Sequence, residues 1–189
     1  LRHGKRVASV APSSHSLAAA MCAHVKPNEP QTIVELGAGT GAVTEYVAQA
    51  MHPESHLIAV EIDRQFSEIL RKRCPAATVV CRDVQELPDA LGETGIGHVD
   101  LLLNGLPTPS LPKPVNEVVL DTYAAIGHDA WFSQLTVMPW VYWPIYRRLF
   151  DEVQFQLVVK NVPPGGVYHC RGLNPSFRSA IPGAKSKSA

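Results

Sequence analysis

The sequence predicts one α/β domain with a seven-stranded, mostly parallel sheet whose last two strands form an antiparallel edge. Three observations predict this fold class. Short apolar runs alternate with helical periodicity through the first half of the chain, a glycine-rich turn follows the first run, and the fourth run, within residues 98–105, is apolar like a buried central strand. Because such alternation is typical of parallel strands joined by crossover helices, we expect helices on both faces of the sheet.

The first half of the chain supplies four strands and the helices between them. Residues 31–36 are a short apolar run that a glycine ends, and they predict the first strand. The helix after Gly41 ends before Pro53, and the helix at residues 63–74 ends before Pro75, because proline does not continue a helix. The next strands are expected at residues 56–62, 77–83 and 98–105, with a short helix or a loop at 84–91.

The second half of the chain supplies the remaining strands. The expected elements are, in order, a helix near residues 115–125, a strand at 130–137, a helix or turn around 140–150, and strands at 153–160 and 166–171. The last two strands follow each other closely, so we expect them to pair as the antiparallel edge.

Both ends of the chain are basic, although the whole chain is neutral with 17 Lys and Arg against 17 Asp and Glu. Residues 1–30 and 145–189 each carry net positive charge, which leaves the middle net negative. Basic ends indicate an anionic partner, lipid or nucleic acid, although terminal segments are often basic only because they are solvated. We distinguish an N-terminal amphipathic, basic helical segment at 1–30, a domain at 31–175 and a flexible tail at 176–189.

A short helix is predicted at residues 15–25, where Ser13 or Ser14 can cap it. Its apolar face consists of Leu17, Ala20, Met21 and Val25. The basic residues before it are Arg2, Lys5 and Arg6. Since each basic residue near an anionic leaflet contributes roughly 1 kcal/mol, we expect this segment to bind an anionic membrane surface without spanning it.

The four cysteines indicate neither a metal site nor a redox motif. They are Cys22, Cys74, Cys81 and Cys170, and no two of them have C-x-x-C spacing. A chain of this length with so few cysteines fits a reducing compartment, and we expect no bound metal. No apolar run approaches the roughly 18 residues of a membrane span.

Three successive strand ends carry residues suited to a nucleoside ligand. Gly37, Gly39 and Gly41 form the turn after the first strand, Glu61 ends the second strand and Asp83 ends the third. Ligands of open α/β sheets bind outside these carboxyl ends, where an acid about 20 residues past the glycines holds ribose hydroxyls. The third glycine comes one residue earlier than in the dinucleotide motif, which argues against NAD. Asp63 is expected to cap the next helix.

Residues 33–44, 59–63, 81–84 and 100–107 resemble the successive motifs of class I S-adenosylmethionine-dependent methyltransferases, which have a Rossmann-like fold. The resemblance implies S-adenosylmethionine as the cofactor and S-adenosylhomocysteine as its product. It also implies that the glycine turn surrounds the methionine tail, Glu61 binds the ribose and Asp83 binds the adenine amine. The expected cofactor-binding residues are Glu35, Gly37, Ala38, Gly39, Gly41, Glu61, Ile62, Asp83, Val84 and Asn104.

Residues 7–21, 104–112 and 159–171 resemble one narrower group, the soluble bacterial phospholipid N-methyltransferases, which are similar to the ribosomal RNA adenine dimethylases. This resemblance implies methylation of phosphatidylethanolamine towards phosphatidylcholine. It implies a cytoplasmic enzyme associated peripherally with the inner face of the membrane. The chain departs from the group at residues 127–132, where members carry a Gly-Gly pair, and at Val137, where members carry tyrosine.

The acceptor amine must lose a proton before it can react, since such amines have a pKa of about 10. We expect Asn104 and the backbone of Gly105 and Leu106 to hold this amine as the catalytic residues. The alternative is that Asn104 only caps the turn before Pro107. His128 is a candidate base, or an ordinary histidine of a surface loop.

Aromatic and basic side chains late in the chain have two interpretations each. The aromatic set could form a wall for a methylated ammonium by cation–π attraction, or belong to the core or an interface, and comprises Trp140, Tyr142, Trp143 and Tyr146. The basic set could pair with a lipid phosphate or be solvated, and comprises Arg147, Arg148, Lys160 and Arg171.

Three functional hypotheses follow. The first is a peripheral membrane enzyme that methylates a phospholipid amine. The second is a methyltransferase acting on RNA adenine or on a soluble amine. RNA is disfavoured because Thr108, not an aromatic residue that stacks a flipped base, follows Pro107. The third is a catalytically silent S-adenosylmethionine-binding protein, which the departures at residues 127–132 and Val137 support.

Overall fold

The computed structural model describes residues 15–108, 111–126, 129–159 and 165–179. Within these ranges seven strands form one sheet in the order β3-β2-β1-β4-β5-β7-β6. The strands are β1 (Thr32–Leu36), β2 (His56–Val60), β3 (Ala77–Val80), β4 (Leu101–Asn104), β5 (Trp131–Thr136), β6 (Phe150–Val158) and β7 (Gly165–Leu173). The predicted α/β fold is confirmed.

Six helices connect or flank these strands in the described part of the chain. They are α1 (His15–Met21), α2 (Ala42–Ala50), α3 (Arg64–Arg73), α4 (Leu87–Glu93), α5 (Lys113–Ile126) and α6 (Pro139–Leu149). A 3₁₀ turn at Val84–Glu86 leads into α4, and another lies at Phe177–Ser179. The segment left open as helix or turn is therefore the helix α6, although Pro144 inside it has no N–H to donate.

Strand β7 is the one that runs against the others. Strands β1 to β5 pair in parallel, whereas β7 pairs antiparallel with both β5 and β6. The predicted antiparallel edge is confirmed. The structure adds that β7 lies between β5 and β6, so β6 again runs in the direction of β5.

The two faces of the sheet bury different sets of residues because side chains alternate along each strand. One face carries α1, α2 and α3, and buries Ile33, Leu57 and Leu103 with Leu17 and Met21. The opposite face carries α4, α5 and α6, and its core includes Val34, Leu36, Leu102, Tyr123 and Tyr146. The predicted apolar face of the N-terminal helix is confirmed for Leu17, Ala20 and Met21, which are buried in the first core.

Several sequence-based predictions lie outside the described residues. They concern the basic residues Arg2, Lys5 and Arg6, the caps Ser13 and Ser14, the candidate base His128, and Lys160. None of the helices in the described ranges has both the length and the apolar character to cross a bilayer.

Candidate functional site

The carboxyl ends of β1, β2 and β4 meet at one edge of the sheet. Leu36, the last residue of β1, is paired with Val60 on one side and with Asn104 on the other. The loops that follow these strands therefore start next to one another. This register brings the glycine turn, Glu61 and Asn104 together, as the sequence predicted from their positions at strand ends.

The glycine turn after β1 packs closely against the ends of β2 and β4. The N–H of Gly37 donates to the Val60 carbonyl at 2.9 Å. Gly37 has φ +71°, and a Cβ there would lie 2.8 Å from Leu106 Cδ2. Gly39 also has a positive φ, +57°, yet a Cβ there would meet nothing within 4 Å. The turn is thus packed at Gly37 and open at Gly39, which leaves room for a ligand beside its backbone.

Glu61 fixes the turn through both oxygens of its carboxylate. Its Oε2 accepts from the Gly39 N–H at 2.7 Å, and its Oε1 accepts from the Asp63 N–H at 2.9 Å. The residue is buried, at 7% exposure. Each oxygen has a second lone pair that a ribose hydroxyl can use. The residue expected at the ribose therefore also shapes the glycine turn.

Glu35 is a buried acid on the face of the sheet that carries α2. It is 4% exposed, and its Oε2 has no hydrogen-bond partner among the described residues. Burial raises its pKa to about 8; the Thr44 hydroxyl lowers this pKa, and the nearby Glu61 carboxylate raises it. A buried carboxyl oxygen without a partner is costly. An ammonium group in the adjacent turn would supply the missing donor.

Two further acids occupy helix-capping positions. Asp63 Oδ1 accepts from the N–H groups of Gln65 at 2.8 Å and Phe66 at 3.0 Å, which confirms its predicted role as the cap of α3. Asp83 Oδ1 accepts from the Gln85 N–H at 2.9 Å and so caps the 3₁₀ turn. Asp83 is only partly buried, so its carboxylate keeps access to the edge where the adenine is expected.

The edge has the chemical features that an adenosine with an amino-acid tail requires. It offers a glycine turn with open space at Gly39, a carboxylate at Glu61 and an unpaired carboxyl oxygen at Glu35. Ile62 follows Glu61 and is 59% exposed, which provides an apolar side chain next to Glu61. Val84 lies partly buried after Asp83. These residues fit S-adenosylmethionine.

Asn104 is the centre of a buried polar network on the face of the sheet that carries α5 and α6. Its Nδ2 donates to Gln134 Oε1 at 2.7 Å and to Thr108 Oγ1 at 3.1 Å. Its Oδ1 accepts from the Leu106 N–H at 3.2 Å. Asn104 thus makes the turn-capping bond that the sequence left as an alternative, and Oδ1 retains one lone pair with no donor among the described residues.

The backbone of Gly105 and Leu106 is already engaged. The Leu106 carbonyl accepts from the Thr108 N–H at 2.7 Å and from Gln134 Nε2 at 3.0 Å. The Gly105 N–H donates to the Leu36 carbonyl at 2.9 Å. The Asn104 Oδ1 atom therefore has capacity left for a further donor, whereas the Leu106 carbonyl does not.

Gln134 is the residue of this network that the sequence did not identify. It is 1% exposed on β5, where it pairs in register with Asn104, and its side chain bonds to Asn104, Thr108 and Leu106. A single glutamine in an apolar strand gives little signal in the sequence. The only indication available was that a buried amide needs partners at a neighbouring strand end.

The aromatic residues of α6 do not converge on one point. Tyr146 is buried and stacks on Tyr168 at 4.6 Å between ring centroids. Tyr142 packs partly against the same core. Trp140 and Trp143 are exposed, at 75% and 37%. In this structure Tyr146 is a core residue and the two tryptophans are surface residues, so the four rings do not form a common wall.

A second group of polar side chains lies on the opposite face of the sheet, beneath α1. His169 Nδ1 and Ser133 Oγ are 2.8 Å apart, and burial lowers the pKa of His169 to about 4, as does the nearby His24. The His24 ring stacks on Trp131, with centroids 3.8 Å apart. This group takes no part in the strand-end site.

Comparison with known proteins identifies a relative along almost the whole chain. The chain is 40% identical over 183 residues to an ornithine lipid N-methyltransferase of Singulisphaera acidiphila, and the alignment covers 93% of this chain and 94% of that protein. Residues 33–119 match the family described as Methyltransferase domain. The matched residues include the glycine turn, Glu61, Asp83 and Asn104.

Solved structures share the fold at low sequence identity. TrmN from Thermus thermophilus has a TM-score of 0.64 at 17% identity. The match covers 83% of this chain but only 48% of TrmN, so this chain spans about half of that protein. Human Methyltransferase-like protein 13, in complex with SAH, has a TM-score of 0.62 at 15% identity, covering 94% and 97% of the two chains. Fibrillarin of Aeropyrum pernix, with natively bound S-adenosyl-L-methionine, has a TM-score of 0.62 at 16% identity, covering 84% and 76%.

Proposed function

Because the chain belongs to the S-adenosylmethionine-dependent methyltransferases, we propose that it transfers the methyl group to the amine of a membrane-lipid head group. The observation that carries this proposal is the ornithine lipid N-methyltransferase that is 40% identical across 93% of the chain. The alignment covers nearly all of both proteins, so neither carries a large insertion that would build a different acceptor site. The polar network at Asn104 supplies a position suited to an amine.

The strand-end residues have separate roles in cofactor binding under this proposal. The bound cofactor supplies a methyl group on a positively charged sulfur, which is electrophilic without further activation. The turn at Gly37–Gly41 and Glu35 hold its amino-acid tail, and Ala38 and Gly39 provide the backbone beside it. Glu61 binds the ribose. Asp83 binds the adenine amine, while Ile62 and Val84 flank the ring.

Asn104 positions the acceptor. A head-group amine in its neutral form carries N–H bonds and one lone pair, and the lone pair must point at the methyl group. Asn104 Oδ1 accepts one of these N–H bonds, since that oxygen has only the Leu106 N–H as a donor among the described residues. Orienting the amine in this way, and keeping water out, is most of what the chain must contribute to an in-line displacement.

Two lipid head groups suit this position. Phosphatidylethanolamine, with phosphatidylcholine as the end product, is the acceptor that the sequence motifs imply. Ornithine lipid is the acceptor named for the 40% identical relative. Both carry a primary amine on a flexible chain at the membrane surface. We propose that the enzyme is cytoplasmic and associated peripherally with the inner face of the membrane. The basic residues of segment 1–30 would bind anionic lipid there, since the apolar face of α1 is buried in the core of the domain.

The experiment that tests the function measures methyl transfer into lipid. The protein is incubated with radiolabelled S-adenosylmethionine and with three kinds of phosphatidylglycerol vesicle, which contain phosphatidylethanolamine, ornithine lipid or no amine-bearing lipid. Label in the extracted lipid that requires one of the two amines supports the proposal and identifies the acceptor. Asn104→Ala should lose this transfer, and calorimetry of the same variant measures how much cofactor binding depends on Asn104, which is also expected at the cofactor.

Two results would contradict the proposal. Cofactor binding without label in any lipid would leave the silent-binder hypothesis. Label in RNA or in soluble amines, without label in lipid, would support the second hypothesis from the sequence. An exposed-site control, Asn28→Ala, lies before the amino end of β1 and checks that loss of an asparagine away from the strand-end edge has no effect.

A further inference from the structure

Six large apolar side chains are exposed near the carboxyl ends of β5 and β6. Their exposed fractions range from 37% for Trp143 to 75% for Trp140. The set consists of Val137, Met138, Trp140, Val141, Trp143 and Leu157, and we refer to it as the apolar rim. Monomeric proteins seldom leave this much apolar surface together in water, and such surfaces usually mark an interaction site.

The apolar rim lies on the same edge and face of the sheet as the polar network. Gln134, which pairs with Asn104, is three residues before Val137 on the same strand and loop. On β6, Phe155 packs against the core on the α6 side, and Leu157 is two residues further on. Because side chains alternate along a strand, Leu157 lies on that face as well. The rim therefore begins three residues along the chain from Gln134, at the edge of the sheet that carries the proposed acceptor position.

Basic residues lie on the helix that carries most of the rim. Helix α6 ends in Arg147 and Arg148, and residues 139–149 contain no acidic side chain. The Arg147 guanidinium lies 5.9 Å from the centroid of the Trp143 ring. Both arginines are exposed. The helix thus combines exposed tryptophans with positive charge and has no carboxylate to repel an anionic surface.

These observations point to one kind of partner. Tryptophan is enriched where one side of a surface is apolar and the other is wet, as at the boundary between acyl chains and head groups. Resting on the lipid-amine function proposed above, we propose that the apolar rim is a membrane-docking surface. Trp140 and Trp143 enter the head-group layer, while Arg147, which lies beside Trp143, faces anionic lipid phosphates. This orientation brings the Asn104 edge to the level at which lipid amines lie.

The test compares vesicle binding of the full chain with that of the double variant Trp140→Ala/Trp143→Ala. Vesicles of phosphatidylcholine with phosphatidylglycerol are sedimented with each protein in the absence of cofactor. We expect the double variant to bind about tenfold more weakly, since two large aromatic side chains no longer leave water on docking. Ile69→Ala is the matched control, because Ile69 is 46% exposed on α3, on the opposite face, and should leave binding unchanged.

A second measurement separates docking from catalysis. Short-chain phosphatidylethanolamine and short-chain ornithine lipid, dispersed as monomers, need no docking surface. Transfer to the monomeric acceptor should be equal in wild type and double variant, whereas transfer to the same head group in vesicles should fall by about tenfold in the variant.

The outcomes are distinct. Equal vesicle binding by wild type and double variant would overturn the docking surface, and would leave either residues 1–30 as the lipid-binding segment or the rim as a protein interface. Loss of transfer to the monomeric acceptor would also overturn it, since the tryptophans would then act at the site itself. If the wild type methylates neither acceptor, the proposed function fails, and vesicle binding still decides the docking surface.

Discussion

The side chains of Asn104 and Gln134 are joined across the neighbouring strands β4 and β5 by a 2.7 Å hydrogen bond from Asn104 Nδ2 to Gln134 Oε1. Gln134 Nε2 also donates to the Asn104 carbonyl at 3.2 Å. Because Nδ2 is used in this way, Asn104 Oδ1 is directed to the Leu106 N–H. The orientation of the Asn104 amide is therefore set by a residue of the next strand.

Replacing Gln134 with leucine tests this relationship. The change roughly keeps the volume but removes the acceptor for Asn104 and a donor to Leu106. We expect the free energy of unfolding to fall by about 1–3 kcal/mol, because buried polar groups lose partners. We also expect kcat to fall while the affinity for S-adenosylmethionine is retained. Urea unfolding, the lipid methyl-transfer assay and calorimetry measure the three effects in turn, with Gln156→Leu on the exposed edge strand as a control. Wild-type kcat in Gln134→Leu would show that Asn104 does not need this partner.

Gly105 packs against the carbonyl groups that end β1. A Cβ at this position would lie 3.1 Å from the Leu36 oxygen and 3.3 Å from the Gly37 oxygen. We expect Gly105→Ala to cost about 1–3 kcal/mol of stability and to weaken cofactor binding, since the glycine turn must move. Gly97→Ala is the matched control, because a Cβ at Gly97 meets nothing within 4 Å. Unchanged cofactor affinity in Gly105→Ala would mean that the turn tolerates the shift.

Glu35 predicts a decrease of stability with pH. Burial raises its folded-state pKa to about 8, above the ordinary value of 4.5. The folded state therefore holds a proton that the unfolded state releases between these values. Its contribution is complete below pH 4.5 and is lost as the pH rises through 8. Between these two pH values the free energy of unfolding of the wild type should fall by a few kcal/mol relative to that of Glu35→Gln, on the order of 1.4 kcal/mol per pH unit.

The measurement is urea unfolding of both proteins across this pH range. Parallel pH profiles would contradict a raised pKa at Glu35. The same acid makes a prediction about the cofactor. If its carboxylate pairs with the ammonium of the amino-acid tail, binding at neutral pH must release a proton. Calorimetry in buffers of different ionisation enthalpy detects that proton, and Glu35→Gln should abolish its release.

Buried His169 should make the stability of the protein rise with pH, the opposite of the effect of Glu35. Burial lowers its folded-state pKa to about 4, below the ordinary 6.5, and His24 adds to this effect. The unfolded state therefore binds a proton between these values and the folded state does not. The stability contributed by neutral His169 is complete above pH 6.5 and is lost as the pH falls through 4. His169→Gln should be less sensitive to acid than the wild type.

Thermal unfolding between about pH 4 and pH 7 checks this prediction. Glu35 and His169 change the free energy of unfolding in opposite directions over part of this pH range. Their effects therefore partly cancel in the wild type and become separate in the single variants. His56→Gln, with an exposed side chain, is the control and should follow the wild type. An acid profile of His169→Gln identical to that of the wild type would show that this histidine takes up no extra proton on unfolding.

Residues next to one another in the chain, or at the ends of successive strands, were predicted from the sequence. The glycine turn, Glu61 and the cap Asp63 belong to this group, because a strand, a turn and a helix cap are each determined by a few neighbouring residues. Once the strands are parallel, their carboxyl ends share one edge, so the turn and Glu61 could be expected to meet.

Contacts between distant segments could not be predicted in the same way. The bond between Asn104 and Gln134 depends on the register of two strands 30 residues apart. The position of β7 between β5 and β6 depends on a return of the chain that its own pattern does not encode. In α6, helical spacing indicates which aromatic residues share a face but not which face is covered, and packing on β7 buries Tyr146 and exposes Trp140.

The sequence by itself therefore determined the fold class and the residues that gather at the strand ends, because these follow from local patterns of apolar residues, glycines and acids. It also determined the cofactor, through the resemblance of those motifs to the class I methyltransferases. The tertiary structure decided which partner orients Asn104, which acceptor atoms are already bonded and which side of α6 meets the solvent. Those properties depend on distances between segments that the chain brings together only when the sheet has formed, so no local pattern carries them.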